Sequence, residues 1–275
     1  MENACITFLG GGNMAASLIG GLIADGLPAD RMTVSDPSAE RREWLSARFG
    51  VAVHEDNRQA VAGADVVVLA VKPQVMRGLL AEVRDRICAS NPLVVSIAAG
   101  LRTEALLRWL GCRPPLVRCM PNTPALVQSG VTALYAGEDV DEARRSLAES
   151  ILRAVGITLW VEDEALLDAV TALSGSGPAY CFLLMEAMQA AGEVLGLAPE
   201  QARLLTLQTV FGAAKMALES EEGPEVLRAR VTSPGGTTER ALAVFEEGGF
   251  RTLVQRAIEA AAERSRELAD ELGGA

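Results

Sequence analysis

The chain is poor in the residues that usually transfer protons or bind metals. Its 275 residues include one histidine, two tyrosines and five cysteines. His54 and the scattered cysteines, which form no C-x-x-C pair, provide no zinc ligand set. A histidine-based hydroxy-acid dehydrogenase is disfavoured, because His54 lies between a short strand and an acidic turn. The short-chain dehydrogenase pattern needs a lysine four residues after a tyrosine, and neither Tyr135 nor Tyr180 has one.

Excess positive charge and long apolar runs are also missing. The formal net charge of -11 argues against nucleic acid as a partner, since nucleic acid requires a basic surface. No apolar run is longer than Tyr180–Met185, which is too short to cross a bilayer, and no basic leader precedes the first strand. These features predict a cytoplasmic protein with no nucleic-acid or membrane partner. Its cysteines are expected to be reduced, small buried hydrophobes.

Short apolar runs alternate with helical segments up to about residue 162. Strands are expected at Cys5–Leu9, Met32–Ser35, Val51–Val53, Asp65–Val71, Leu93–Ile97, Pro115–Cys119, Val131–Tyr135 and Ile157–Val161. Because these runs are almost continuously apolar, they favour a parallel sheet covered by helices on both faces. From residue 163 onward the composition becomes helical, over 163–173, 177–195, 199–220 and 250–272. The predicted architecture is α/β, with a sheet domain over residues 1–162 and an all-helical domain over 163–275.

A glycine-rich motif joins the first strand to the first helix. Gly10, Gly12 and Ala15 occupy the small positions of G-x-G-x-x-G/A. They allow a sharp turn, close approach to a pyrophosphate and tight packing of helix on strand. The following helix N-terminus offers free N–H groups and the positive end of a dipole. This context predicts a Rossmann-like dinucleotide-binding domain.

The residue that ends the second strand leaves the choice of dinucleotide open. Asp36 binds the adenosine ribose hydroxyls, caps the helix that begins at Pro37, or does both. A carboxylate there would repel the 2′-phosphate of NADP, whereas Arg41 and Arg42, one helical turn later, could offset that repulsion.

The helix expected over Pro199–Ser220 is apolar around much of its circumference. Its apolar residues are Leu204, Leu205, Leu207, Val210, Phe211, Met216 and Leu218. A helical domain of this size cannot cover such a helix alone. The sequence therefore predicts a subunit interface, with a homodimer as the minimal unit and a higher homo-oligomer open.

A second glycine-rich motif, Val231–Glu239 (VTSPGGTTE), precedes an apolar helix. It can form a nest of backbone N–H groups that suits a small carboxylate. The alternative is a plain helix cap made by Thr237 or Thr238.

Seven motifs in order resemble those of the pyrroline-5-carboxylate reductase family. Besides VTSPGGTTE they are FLGGGNMA (Phe8–Ala15), AVKP (Ala70–Pro73), SIAAG (Ser96–Gly100), RCMPNTP (Arg118–Pro124), LSGSGPAY (Leu173–Tyr180) and GAAKM (Gly212–Met216). The resemblance spans nearly the whole chain. It implies a reductase that converts 1-pyrroline-5-carboxylate to L-proline, the last step of proline biosynthesis, using NADPH or NADH. It also implies a Rossmann domain, a helical dimerisation domain and an active site at the interface.

The resemblance also implies roles for individual residues. Cofactor contacts are implied for Gly10, Gly11, Gly12, Asn13, Met14, Ala15, Asn57, Ala70, Val71, Lys72, Pro73, Met120, Pro121 and Asn122. Asp36 is a candidate cofactor residue because of its position at the end of the second strand. Binding of the imino acid is implied for Ser233, Gly235, Gly236, Thr237, Thr238 and Glu221. Thr238, whose hydroxyl would reach the ring nitrogen, is the residue expected nearest the chemistry. Asp36 departs from the family, in which many members have a small polar or basic residue there.

Imine reduction suits a chain with few acid–base residues. A protonated C=N bond is already electrophilic, so the protein mainly has to hold it against the nicotinamide. One alternative is a hydroxy-acid dehydrogenase in which Lys215 transfers the proton, although Lys215 can equally be a surface cation. Its usual G-x-G-x-x-x-K-x-x-N helix is absent. A non-catalytic sensor of nicotinamide is the other alternative, but it would not need the second glycine-rich loop.

Overall fold

The computed structural model describes residues 4–274, and their first part forms one eight-stranded sheet. The strands are β1 (Ile6–Leu9), β2 (Met32–Ser35), β3 (Ala52–His54), β4 (Val66–Leu69), β5 (Leu93–Ser96), β6 (Leu116–Met120), β7 (Gly130–Ala136) and β8 (Gly156–Trp160). Each strand coincides with a predicted apolar run, and the observed and predicted ends differ by no more than two residues.

The sheet has the order β3-β2-β1-β4-β5-β6-β7-β8. Neighbouring strands are parallel except β6 and β7, which pair antiparallel, with Arg118 opposite Tyr135. β8 is again parallel to β7. The predicted α/β class is therefore confirmed, with one antiparallel pair that the apolar pattern did not indicate.

Helices cover both faces of the sheet, as expected. Val66 and Val68 of β4 belong to the core cluster that also contains Leu18 of the first helix. Val67 and Leu69 belong to a second cluster on the opposite face. This alternation along one fully buried strand is the reason that its sequence is continuously apolar.

The helices number twelve in the described part of the chain. They are α1 (Asn13–Ala24), α2 (Ala39–Phe49), α3 (Asn57–Ala60), α4 (Pro73–Ser90), α5 (Thr103–Leu110), α6 (Glu142–Arg153), α7 (Leu166–Val170), α8 (Gly177–Val194), α9 (Pro199–Glu219), α10 (Pro224–Arg230), α11 (Thr237–Glu247) and α12 (Phe250–Gly273). A π-helical turn, Thr171–Gly175, extends α7. Within residues 4–274, none of the helices is both apolar and long enough to cross a membrane.

The described residues separate into two compact units. One comprises the residues up to Ser176 together with those from Ala260 onward, and the other comprises Gly177–Glu259. The predicted division into a dinucleotide-binding domain (1–162) and a dimerisation and substrate domain (163–275) stays a prediction.

The cysteines do not all behave as predicted. Cys88 and Cys112 form a disulfide, and Cys88 is exposed. Cys181 is also exposed, Cys5 is half-buried, and Cys119 is the buried one. Burial raises the pKa of the Cys119 thiol, with Arg118 acting in the opposite direction. The expectation of five small, buried, reduced residues is therefore wrong for Cys88, Cys112 and Cys181.

Candidate active site

The turn between β1 and α1 can be built only with glycine at its first position. Gly10 has a φ of +100°, and a Cβ placed on it would lie 2.6 Å from the carbonyl oxygen of Ala70. Its N–H donates to the carbonyl oxygen of Ser35 at 2.9 Å. Gly10 therefore lies tightly between the ends of β2 and β4, where the family resemblance predicts cofactor contacts.

The third glycine of the turn, Gly12, has free space beside it. A Cβ on Gly12 would meet no atom within 4 Å. Gly12 precedes α1 as its N-cap residue and has no side chain with which to cap the helix. Asn13 is exposed and Ala15 is buried. An accessible helix N-terminus without a side-chain cap is a site at which backbone N–H groups bind phosphate.

Asp36 stabilises this turn through hydrogen bonds to the backbone and does not cap a helix. Its Oδ2 accepts from the Gly11 N–H and its Oδ1 accepts from the Ser38 N–H, both at 2.9 Å. The N-cap of α2 is Ser38, whose hydroxyl accepts from the Arg41 N–H. The interpretation of Asp36 as the cap of a helix that starts at Pro37 is therefore wrong.

Asn57 and the segment after β4 lie at the same edge of the sheet. The Asn57 amide accepts from the Ser35 hydroxyl at 2.7 Å and donates to Glu82 at 2.9 Å. Ala70 follows β4, Lys72 is the exposed N-cap residue of α4, and Pro73 is its first residue. Because β1, β2, β3 and β4 are parallel, their carboxyl ends bring these predicted cofactor residues to one edge.

The end of β6 contacts the π-helical turn. A Cβ on Gly175 would lie 2.4 Å from Cε of Met120. The buried Asn122 amide donates to the Ser174 carbonyl at 3.3 Å and accepts from the Val131 N–H at 3.0 Å. The motifs RCMPNTP and LSGSGPAY are therefore in contact here, which the sequence did not predict. Turns of the π type are common at functional sites.

The second glycine-rich loop precedes α11 in the second unit. Gly235 has a φ of +72°, and Gly236 is the N-cap of α11 with no side-chain cap. Thr237 and Thr238 begin the helix, so neither one is the capping residue that the alternative interpretation required. The Gly236 N–H closes the turn on the Ser233 carbonyl at 3.0 Å.

Glu239, in the first turn of α11, contacts this loop and was not among the predicted site residues. Its Oε2 accepts from the Gly235 N–H at 2.7 Å. This contact resembles one half of a capping box, in which an acid early in the helix reaches back to an N–H before it. An acid in the first helical turn was the signal that could have identified it.

Two other predicted residues of the second unit lie outside this loop. Glu221 is exposed in the connection between α9 and α10. Lys215 lies on α9 with 58% of its side chain exposed and pairs with Glu219 at 3.7 Å. This environment fits a surface cation and gives no support to Lys215 as a proton donor.

A partly buried ion pair links the middle of β6 to the start of α5. The Arg118 side chain, 5% exposed, lies 3.1 Å from Glu164. Glu164 also accepts from the backbone N–H of Thr103 at 2.6 Å and from its hydroxyl at 3.0 Å. Burial raises the pKa of Tyr135, which pairs with Arg118 across the strands, and Glu164 raises it further.

The fold and the first turn define a class of protein. A parallel sheet whose first strand leads through a glycine turn into an uncapped helix, with an acid at the end of β2, is typical of nicotinamide-dependent oxidoreductases of the Rossmann type.

Comparison with known proteins identifies the family. A family model described as pyrroline-5-carboxylate reductase dimerisation matches residues 164–268. One described as NADP oxidoreductase, coenzyme F420-dependent, matches residues 5–100. The chain is 55% identical over 273 residues to the pyrroline-5-carboxylate reductase of Pseudomonas aeruginosa, covering 99% of this chain and all of the relative.

Solved structures agree with the sequence relatives. A pyrroline-5-carboxylate reductase from Coxiella burnetii superposes with a TM-score of 0.93 at 49% identity, over 97% of this chain and 98% of that one. The Plasmodium falciparum enzyme with NADP bound gives a TM-score of 0.87 at 30% identity, over 98% and 99%. The chain belongs to the pyrroline-5-carboxylate reductase family. The family expected from the seven motifs is confirmed.

Proposed function

We propose that this protein reduces 1-pyrroline-5-carboxylate to L-proline with NADPH or NADH, the last step of proline biosynthesis. The observation that supports this most strongly is the 55% identity to a pyrroline-5-carboxylate reductase along the entire length of that enzyme. The family resemblance of both glycine-rich loops supports the same activity.

We propose that the turn from Gly10 to Ala15 holds the pyrophosphate of the dinucleotide. The cradle fits, because Gly10 lets the chain turn against Ala70 while Gly12 leaves free space before an uncapped helix. Asp36 and Asn57 take the adenosine side, Ala70–Pro73 flank the dinucleotide, and Met120–Asn122 take the nicotinamide side. When bound, the reduced nicotinamide supplies the hydride.

The loop from Ser233 to Thr238 is the proposed site of the imino acid. The start of α11 offers backbone N–H groups to the carboxylate, with Gly235, Gly236 and Thr237 shaping the turn. The Thr238 hydroxyl hydrogen-bonds the ring nitrogen and orients it, and Glu221 has a supporting role. A fixed orientation contributes much of the rate in such a reaction, since the iminium carbon is already electrophilic.

The activity is tested with purified protein, NADPH and 1-pyrroline-5-carboxylate. Oxidation of the nicotinamide, followed by absorbance, with proline as the product is the expected result. A rate no higher than that of the reagents alone would reject the proposed function.

The role of Thr238 is tested with two substitutions. Thr238→Ala is expected to lower turnover about tenfold or more, because a hydrogen bond to a charged group contributes about 1.5–3 kcal/mol. Thr238→Ser retains the hydroxyl and is expected to recover most of that loss. Equal kinetics for the wild type and Thr238→Ala would remove Thr238 from this role.

We also propose that the protein works in the cytoplasm as a homodimer. The match of residues 164–268 to a dimerisation family supports the dimer. So do exposed apolar residues on α9, such as Leu204 (67% exposed) and Leu218 (82% exposed).

A further inference from the structure

We propose that Arg41 is the residue with which this chain recognises the 2′-phosphate of NADPH. This inference rests on the proposed use of a nicotinamide dinucleotide at the glycine turn, and it goes beyond the cofactor residues that the family resemblance implies. Arg41 would be a specificity-determining residue that distinguishes NADPH from NADH.

Arg41 is held over the glycine turn by two contacts. It lies in the first turns of α2, and its Nε donates to the carbonyl oxygen of Gly11. Its guanidinium carbon lies 4.3 Å from the centre of the Trp44 ring. Stacking on an aromatic ring and a backbone hydrogen bond together fix the plane of the guanidinium.

One end of this guanidinium lacks a hydrogen-bond acceptor. Nη2 of Arg41 is buried and has no hydrogen-bond partner among residues 4–274. Buried polar atoms in proteins are normally paired, so an unpaired one requires an explanation. The two nitrogens of an arginine fork match the oxygens of a phosphate, and a phosphate next to Nη2 would supply the missing acceptor.

The neighbouring arginine is already engaged. Nη1 of Arg42 donates to the carbonyl oxygens of Asp36 at 2.7 Å and Pro37 at 3.0 Å. Its Nη2 pairs with Glu55 at 3.1 Å. Of the two arginines that could offset Asp36, the structure therefore favours Arg41 as the phosphate ligand.

The carboxylate of Asp36 is already held by the backbone. Both of its carboxylate oxygens accept backbone N–H groups, from Gly11 and from Ser38. A Cβ on Gly11 would lie 3.2 Å from Asp36 Oδ2 and 3.5 Å from Arg41 Cγ, so the acid and the arginine flank the same backbone position. In Rossmann domains an acid at the end of β2 binds the 2′-hydroxyl of NAD, whereas in those that bind NADP a nearby arginine accommodates the 2′-phosphate. This chain has both residues, so the titration of the two cofactors decides which one sets the preference.

The test is the binding of NADPH and of NADH, each titrated separately by fluorescence without substrate. Arg41→Met is expected to weaken NADPH binding about tenfold or more, while NADH binding changes by less than about twofold. Arg41→Lys, which keeps the charge but loses the fork, should give an intermediate loss for NADPH. Arg48→Met, which removes the same charge from an exposed position on α2, is the matched control and should leave the ratio of affinities unchanged.

Two outcomes would overturn the inference. One is an equal loss of NADPH and NADH binding in Arg41→Met, which would mean that Arg41 only supports the glycine turn. The other is an unchanged NADPH affinity in a folded variant, with folding checked by the thermal midpoint. A wild type that binds NADPH but does not reduce 1-pyrroline-5-carboxylate would reject the proposed function. The comparison of Arg41→Met with Arg48→Met would still test the role of Arg41, because the binding titrations contain no substrate.

Discussion

At the scale of single residues, two glycines of one motif have different physical roles. Gly10 is required by the fold, since its φ of +100° and the Ala70 carbonyl 2.6 Å from a Cβ leave no space for a side chain. Gly12 has an ordinary φ of -64° and free space around it, so its small size is needed only when another molecule approaches.

The two roles can be separated by a matched pair of substitutions. Gly10→Ala is expected to lower the free energy of unfolding by about 2 kcal/mol or more, because it combines an unfavourable φ with a backbone clash. Gly12→Ala is expected to change that free energy by less than about 1 kcal/mol and to weaken NADPH binding several-fold. Urea unfolding and a cofactor titration measure the two effects. Equal stability of the two variants would contradict this assignment.

The sequence predicts candidate positions for the site but not the contacts that these residues make. Gly10 and Gly12 belong to a pattern that has a local physical cause, whereas Thr238 is a candidate only through the family resemblance. The double acceptor role of Asp36 depends on Gly11, which is 25 residues away, and such a pairing exists only after folding. The contact of Glu239 with Gly235 is local, however, and an acid at the start of a helix was enough to predict it.

At the scale of elements, apolar patterning predicted where strands occur but not how they run. A strand buried on both faces is continuously apolar whatever its direction, so β7 looked like its neighbours. The connection from β6 to β7 is short and contains only a 3₁₀ turn, Thr123–Val127, in place of a crossover helix. That missing helix is the physical reason for the antiparallel pair, because a parallel connection needs a longer crossover.

The disulfide between Cys88 and Cys112 also belongs to this scale. The two cysteines are 24 residues apart, at the end of α4 and just after α5. They meet because α4 and α5 pack side by side on one face of the sheet, where Ile87, Leu106 and Leu110 share a core cluster. Spacing alone cannot predict such a pair.

Reduction of this disulfide should lower thermal stability without unfolding the protein. Closing a loop of this length contributes about 3.5 kcal/mol in the chain-entropy description. For a domain of this size that corresponds to a decrease of about 7–14 °C in the thermal midpoint on adding dithiothreitol. Cys88→Ser should show a lower midpoint that no longer responds to the reductant. Cys181→Ser, at an exposed free thiol, should respond as the wild type does. A wild-type midpoint that is insensitive to reductant would contradict the prediction.

At the scale of the whole molecule, the exposed apolar surface lies mainly on the helices of the second unit. Val194 ends α8 and is 87% exposed, Leu195 follows it and is 86% exposed, and Phe211 on α9 is 61% exposed. In the first unit most large apolar side chains are buried in two core clusters, although some, such as Val127 (73% exposed), are not. Isolated exposed apolar residues are ordinary, but so many on consecutive helices indicate a surface that another chain covers.

Because the exposed apolar residues are concentrated on the helices of the second unit, a single charged substitution there tests the oligomeric state. Phe211→Glu is expected to convert the proposed dimer to a monomer, because a carboxylate buried without a partner in an apolar interface is strongly unfavourable. Light scattering after size-exclusion chromatography measures the mass, and circular dichroism checks that the helices remain. Ser46→Glu, which adds the same charge to an exposed position on α2, should remain dimeric. The wild-type thermal midpoint should also rise with protein concentration, since association stabilises the folded chain by mass action. A wild type that is monomeric at every concentration would show that these helices remain exposed to solvent, and the apolar circumference of α9 would then have no role in assembly.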